Sequence, residues 1–128
     1  MNINITLIYA AILAAIYVGL SIRVIKHRFG TKTLFGDAGH HDLSIAVRTH
    51  GNFAEYVPFC LILIMGVELR DYSALTIHIL GTVLIVARLS HVFGLKANKG
   101  AGLGRPLGVI ATLLLMVTSS VLILIRSF

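Results

Sequence analysis

Arg48-Thr49-His50-Gly51-Asn52-Phe53-Ala54-Glu55-Tyr56-Val57-Pro58-Phe59 decides how this chain folds, because it sets strong charges at the head of an apolar run, Val57 to Val67, that belongs in lipid. At about 100° per residue, Arg48, Asn52, Glu55 and Tyr56 share one helical face within roughly 100° of arc, and His50 points the opposite way. Helix two therefore carries a polar stripe.

Outward from that stretch, four segments are long and apolar enough to span a bilayer: Ile3 to Ile22, about Asp42 to Glu68, Ser73 to about Gly94, and Pro106 to Ile125. With 57% apolar and only 12% charged residues, the 128-residue chain is expected to be one all-α domain, an integral membrane four-helix antiparallel bundle over residues 1–128. Met1 to Asn4 lacks a basic leader region, so the first apolar run is expected to be a retained helix. The net charge of +6 sits at helix ends, which argues against nucleic acid and for membrane lipid and an anionic ligand. Cys60 is the lone cysteine, expected as a small buried hydrophobe. Asp37, His40, His41 and Asp42 crowd the first connection, but no metal motif spacing is present, and Asp42 is expected to cap helix two.

Orientation follows from the basic residues. Arg23, Lys26, Arg28 and Lys32 flank the first connection, and Lys96, Lys99 and Arg105 the third, against Arg70 and Arg126 on the other side. Both termini are thus expected to be non-cytoplasmic. From Asp42 to Glu68 helix two is about 40 Å long against a hydrocarbon core of about 30 Å, so its first turns project inward and Glu55 lies roughly 10 Å inside the boundary. An ionised residue near the centre costs about 2.5 to 3.5 kcal/mol, and each Leu or Ile returns about 0.5. Glu55 needs a partner or a wet cleft. Arg88 lies within about 5 Å of its depth, which makes a buried Glu55–Arg88 pair the expectation. Pro58 frees the carbonyl of Ala54 and is expected to kink the helix. Gly100 to Gly104 has no Walker lysine and is expected to be a plain turn. Helix four reads as unremarkable bundle surface.

The up-down connectivity gathers Arg28, Arg48, His50, Asn52, Glu55, Tyr56, Arg88, His91 and Arg105 at the cytoplasmic side. A basic cleft with one acid suits a small zwitterionic anion whose carboxylates meet arginines and whose amine meets Glu55; glutathione has that charge pattern, as do other acidic peptides. A small multidrug transporter has the same length, but helix one has no acid and the chain no Trp.

Arg48-x-His50-Gly51-Asn52-x-x-Glu55-Tyr56-x-Pro58, with Ala87-Arg88-Leu89 and Arg105-Pro106, resembles the MAPEG superfamily, the membrane-associated proteins in eicosanoid and glutathione metabolism, and is similar in pattern to its small bacterial members. The resemblance covers essentially the whole chain. It implies a homotrimer in the inner membrane that binds glutathione between subunits near the cytoplasmic side. It also implies a transferase or peroxidase acting on lipophilic electrophiles, with a non-enzymatic lipid- or partner-binding member as the alternative. Arg48, Asn52, Glu55 and Tyr56 match glutathione-contacting positions, His50 a position reaching the neighbour's glutathione, and Arg28 a basic contact at the end of helix one. Arg105 is similar to the arginine that stabilises the glutathione thiolate in leukotriene synthase members. Where those synthases carry tyrosines, this chain has His91 and Leu95, and His91 is the residue able to donate a hydrogen bond or act as a base.

Overall fold

The computed structural model describes residues 3–96 and 102–128, apart from the side chains of Leu95 and Lys96. The expected glycine-rich turn and the Leu95 position lie largely outside that description. Four helices follow in order: α1 (Asn4–Thr31), α2 (His41–Glu68), α3 (Ala74–Lys96) and α4 (Gly104–Ile125). All four are long and apolar enough to cross a membrane.

Chemistry at the helix ends explains the boundaries. α1 continues past Ile22 because nothing breaks it before Gly30. It stops where Lys32 turns left-handed (φ 54°) and the Thr33 N–H donates to the Arg28 carbonyl at 3.1 Å. α2 begins earlier than expected: His40, two positions before Asp42, is the flanking residue, and Asp42 instead occupies the first turn, where its carboxylate favours the helix dipole. The helix then runs without a break through Pro58. Ser73 caps α3 as its Oγ accepts the Thr76 N–H at 3.3 Å. In the first connection the Gly39 N–H donates to Asp37 Oδ1 at 3.0 Å and holds that carboxyl below its ordinary pKa.

Ile3 supplies no cap for α1. The cap comes from the far end of α2, where Glu68 accepts the Ile5 N–H at 2.9 Å, the Thr6 N–H at 2.8 Å and the Thr6 hydroxyl. A carboxylate on the first-turn amides satisfies donors that otherwise have no partner in lipid. It also fixes α1 and α2 as antiparallel. At the same end Tyr72 donates to the Leu122 carbonyl at 2.8 Å, and the Arg126 guanidinium lies 4.0 Å over the Tyr72 ring, which closes α3 on α4.

Leu13, Leu20, Phe53, Val57, Cys60, Ile64, Ile77, Leu84 and Leu115 form the core, with Cys60 fully buried as expected. Leu7, Ile8, Val18, Phe59, Ile62, Leu75, Val86, Leu114 and Val117 face outward, as lipid-contacting residues do. α1 packs on α2 and α3, and α4 packs on α2 and α3; among the described residues α1 and α4 do not touch. Glycines let α3 and α4 approach closely. A Cβ added at Gly94 would run into the Arg105 backbone nitrogen, and one added at Gly108 would lie 2.5 Å from the Ala87 carbonyl oxygen. A similar cradle at Gly81 takes the Tyr9 ring, whose hydroxyl meets His78 Nδ1 at 3.0 Å and Thr82 Oγ1 at 3.1 Å.

Candidate functional site

Arg88 is the largest fully buried side chain, 1% exposed, in the contact between α2, α3 and α4. Its Nη1 donates to Asn52 Oδ1 at 3.0 Å. Nη2 donates to the Gly108 carbonyl at 3.0 Å and to the Thr112 hydroxyl, which itself donates to that carbonyl at 2.8 Å. The Tyr56 ring lies under the guanidinium, 5.4 Å from Cζ to centroid. Only Nε is left without a partner. A cation in an apolar bundle is thus held by dipoles and a π face rather than by a counter-ion.

The expected Glu55–Arg88 pair is not formed. Glu55 is exposed and has no partner among the described residues, and Asn52 takes the place in front of Arg88. The reason is azimuth. Glu55 has the right depth, but Asn52 and Glu55 are separated by about 60° around the helix, and only Asn52 and Tyr56 turn inward. The stripe splits lengthwise: Asn52 and Tyr56 close on Arg88, and Arg48 and Glu55, seven positions apart and nearly in line, face out of the bundle.

His50 is engaged within its own chain. Its Nε2 lies 3.1 Å from Ser21 Oγ and its ring stacks on Tyr17 at 4.6 Å and 21°, with Phe53 next in the stack. Ser21 spends its own proton on the Tyr17 carbonyl at 2.9 Å, so the Ser21 oxygen accepts from an Nε2–H of His50. Arg28 turns back onto the first connection, with Nη1 donating to the carbonyls of Thr33, Leu34 and Gly36 at 3.3, 3.0 and 3.1 Å.

Arg105 is exposed in the first turn of α4, beside the Gly94 contact. His91 is 4% exposed, packed behind Gly108. Arg48 near the start of α2, Arg88 near the end of α3 and Arg105 at the start of α4 lie toward the same end of the antiparallel bundle. Thr112 and Gly108 are site residues that sequence reasoning missed. Their signal was the small-residue spacing Gly104, Gly108, Thr112 along one face of α4.

Four antiparallel apolar helices around a buried arginine, with an outward Arg48–Glu55 line at one end, define an integral membrane bundle with one polar end. The chain belongs to the MAPEG family, whose family model matches residues 6–125. It is similar to the inner membrane protein YecN of Escherichia coli K12, with 33% identity over 87 residues, 68% of this chain and 66% of the relative. YecN of Escherichia coli O6:H1 matches to the same extent. The match thus spans just under two thirds of those relatives' length. No solved structure matches the chain.

Proposed function

We propose that this chain is a glutathione-binding protein of a bacterial inner membrane, assembled as a homotrimer, that transfers or reduces through a bound thiolate at lipophilic electrophiles. The observation that carries the reading is the split stripe: Asn52 is consumed by Arg88, and Arg48 and Glu55 are exposed with no hydrogen-bond or ion-pair partner among the described residues. An arginine and a carboxylate facing outward at the membrane boundary need opposite charge. A ligand with carboxylates and an amine supplies it, and a neighbouring subunit seals it from lipid. The inner-membrane location rests on the name of the relative, and the cytoplasmic side of the site on the placement of the basic residues.

In this reading Arg48 takes a carboxylate, Glu55 the amine, and Tyr56 lines the pocket floor. Arg105, exposed at the same end, stands beside the thiol; a cation there lowers the thiol's pKa and raises the thiolate population at neutral pH. The thiolate attacks the electrophile, a carbon–sulfur bond forms, and the leaving group departs with the electron pair. Binding measured by calorimetry is expected to weaken about tenfold or more in Arg48→Ala, the loss of one charged contact worth about 1.5 to 3 kcal/mol. Arg105→Ala is expected to keep binding and lose the ultraviolet thiolate absorbance. Absence of binding by the wild type overturns the reading.

A second reading, binding without turnover, draws on the burial of His91 behind Gly108, which takes the residue in the tyrosine position away from substrate. Glutathione binding with no thiolate absorbance at saturation selects it.

A further inference from the structure

The end of α1 holds cations that the glutathione reading does not use. Arg23 follows the apolar run Ile3 to Ile22, so it sits at headgroup depth. Its side chain is half-buried, and Nη1 is buried without any hydrogen-bond partner. Around it Gly19, Ile22, Lys26 and His27 line a trough of about 440 Å³. At 100° per residue this face lies opposite Ala10, Leu13 and Tyr17, which line the groove between α1 and α2, so the trough opens away from the bundle. Gly19 contributes to its depth, since even a Cβ there meets nothing within 4 Å. Arg28 is not part of it, because its Nη1 is committed to the carbonyls of the first connection.

We propose that Arg23, Lys26 and His27 form a defined site for the phosphate headgroup of an anionic phospholipid, with Gly19 and Ile22 receiving the start of its glycerol and acyl region. Three features favour that occupant. The trough is basic, it lies at the depth of lipid phosphates, and the Arg23 guanidinium that helps line it keeps one N–H without a protein acceptor. A basic residue that merely snorkels keeps its charged head in water; the buried Nη1 of Arg23 does not.

The test is lipid retention by the full chain in its native oligomer. The protein is exchanged into nanodiscs of equal parts phosphatidylglycerol and phosphatidylcholine, extracted in mild detergent, and weighed by native mass spectrometry. Wild type is expected to retain phosphatidylglycerol in preference to phosphatidylcholine. Arg23→Gln and Lys26→Gln are each expected to weaken retention about fivefold, the effect of removing one basic residue near an anionic surface. Lys32→Gln, on the same side but outside the trough, is expected to retain it as wild type does. Should Arg23→Gln not fold, Lys26→Gln combined with His27→Asn probes the same site with the buried guanidinium in place. Equal retention in these trough variants and wild type, equal loss in Lys32→Gln, no lipid on the wild-type oligomer, or displacement by millimolar inorganic phosphate each overturns the proposal. None of these readouts depends on glutathione.

Discussion

Arg88 shows what a single charge demands inside an apolar bundle. With no carboxylate in reach, its desolvation is offset by Asn52 Oδ1, the Gly108 carbonyl, the Thr112 hydroxyl and the Tyr56 ring. Removing one acceptor leaves a buried charged donor, which costs about 1 to 3 kcal/mol or more. Asn52→Leu is therefore expected to lower stability by at least that much in denaturant titration of the detergent-solubilised protein, and Glu55→Gln, which removes no bond to Arg88, to lower it by no more than about 0.5 kcal/mol. The reverse order of effects returns Glu55 to Arg88. Sequence reasoning could place Arg88 and Glu55 at one depth, because depth follows from counting residues out of a tight turn. It could not choose between Glu55 and Asn52, because the choice depends on how α2 is rotated about its axis, and a stripe about 100° wide leaves that rotation open. His50 illustrates the same limit: its opposite azimuth was legible, but its partners Ser21 and Tyr17 on α1 were not.

At the scale of the element, the helices are held by two devices with different sequence signatures. The α3–α4 contact uses absent side chains. Gly108→Ala puts a methyl 2.5 Å from the Ala87 carbonyl oxygen and 2.9 Å from His91 Cβ, so backbone or helix must shift, and a loss of about 1 to 3 kcal/mol is expected. Gly30→Ala, in α1 with nothing within 4 Å, is expected instead to stabilise by about 0.5 to 1 kcal/mol by removing glycine's flexibility. Thermal unfolding of the pair decides it; equal effects remove the close-approach account. The spacing Gly104, Gly108, Thr112 was legible as a small-residue face, yet beside so many apolar neighbours α4 reads as plain surface until its partner helix is known. The α1–α2 contact uses Glu68 on the first-turn amides, and Glu68→Gln is expected to cost about 0.5 to 2 kcal/mol, the range of a lost helix cap. Hydrogen exchange confined to the first turn of α1 is the corresponding local signature. A boundary role for Glu68 follows from the apolar run it ends, but a bond across 62 positions has no local pattern to betray it.

For the whole molecule, four spans and their alternating direction were legible because lipid forces every backbone amide into long helices and short connections leave neighbours antiparallel. What covers the outward line of Arg48 and Glu55 is not written in one chain's periodicity, since a face that meets another subunit and a face that meets lipid carry similar apolar residues. Energetics distinguishes them. A lone subunit exposes the Glu55 carboxylate roughly 10 Å inside the boundary, at a cost approaching the 2.5 to 3.5 kcal/mol of a charge at the bilayer centre. If assembly covers that carboxylate, association recovers this cost, and Glu55→Leu forfeits the gain because its monomer has nothing to hide. Energy transfer between labelled subunits, followed as the protein is diluted in bilayers without glutathione, is expected to show Glu55→Leu dissociating at a higher protein density than wild type. Arg126→Gln, at the opposite end of the bundle, is expected to dissociate with wild type. Identical curves for all three place the assembly contact away from the polar stripe and leave the proposed glutathione site without the neighbouring wall it requires.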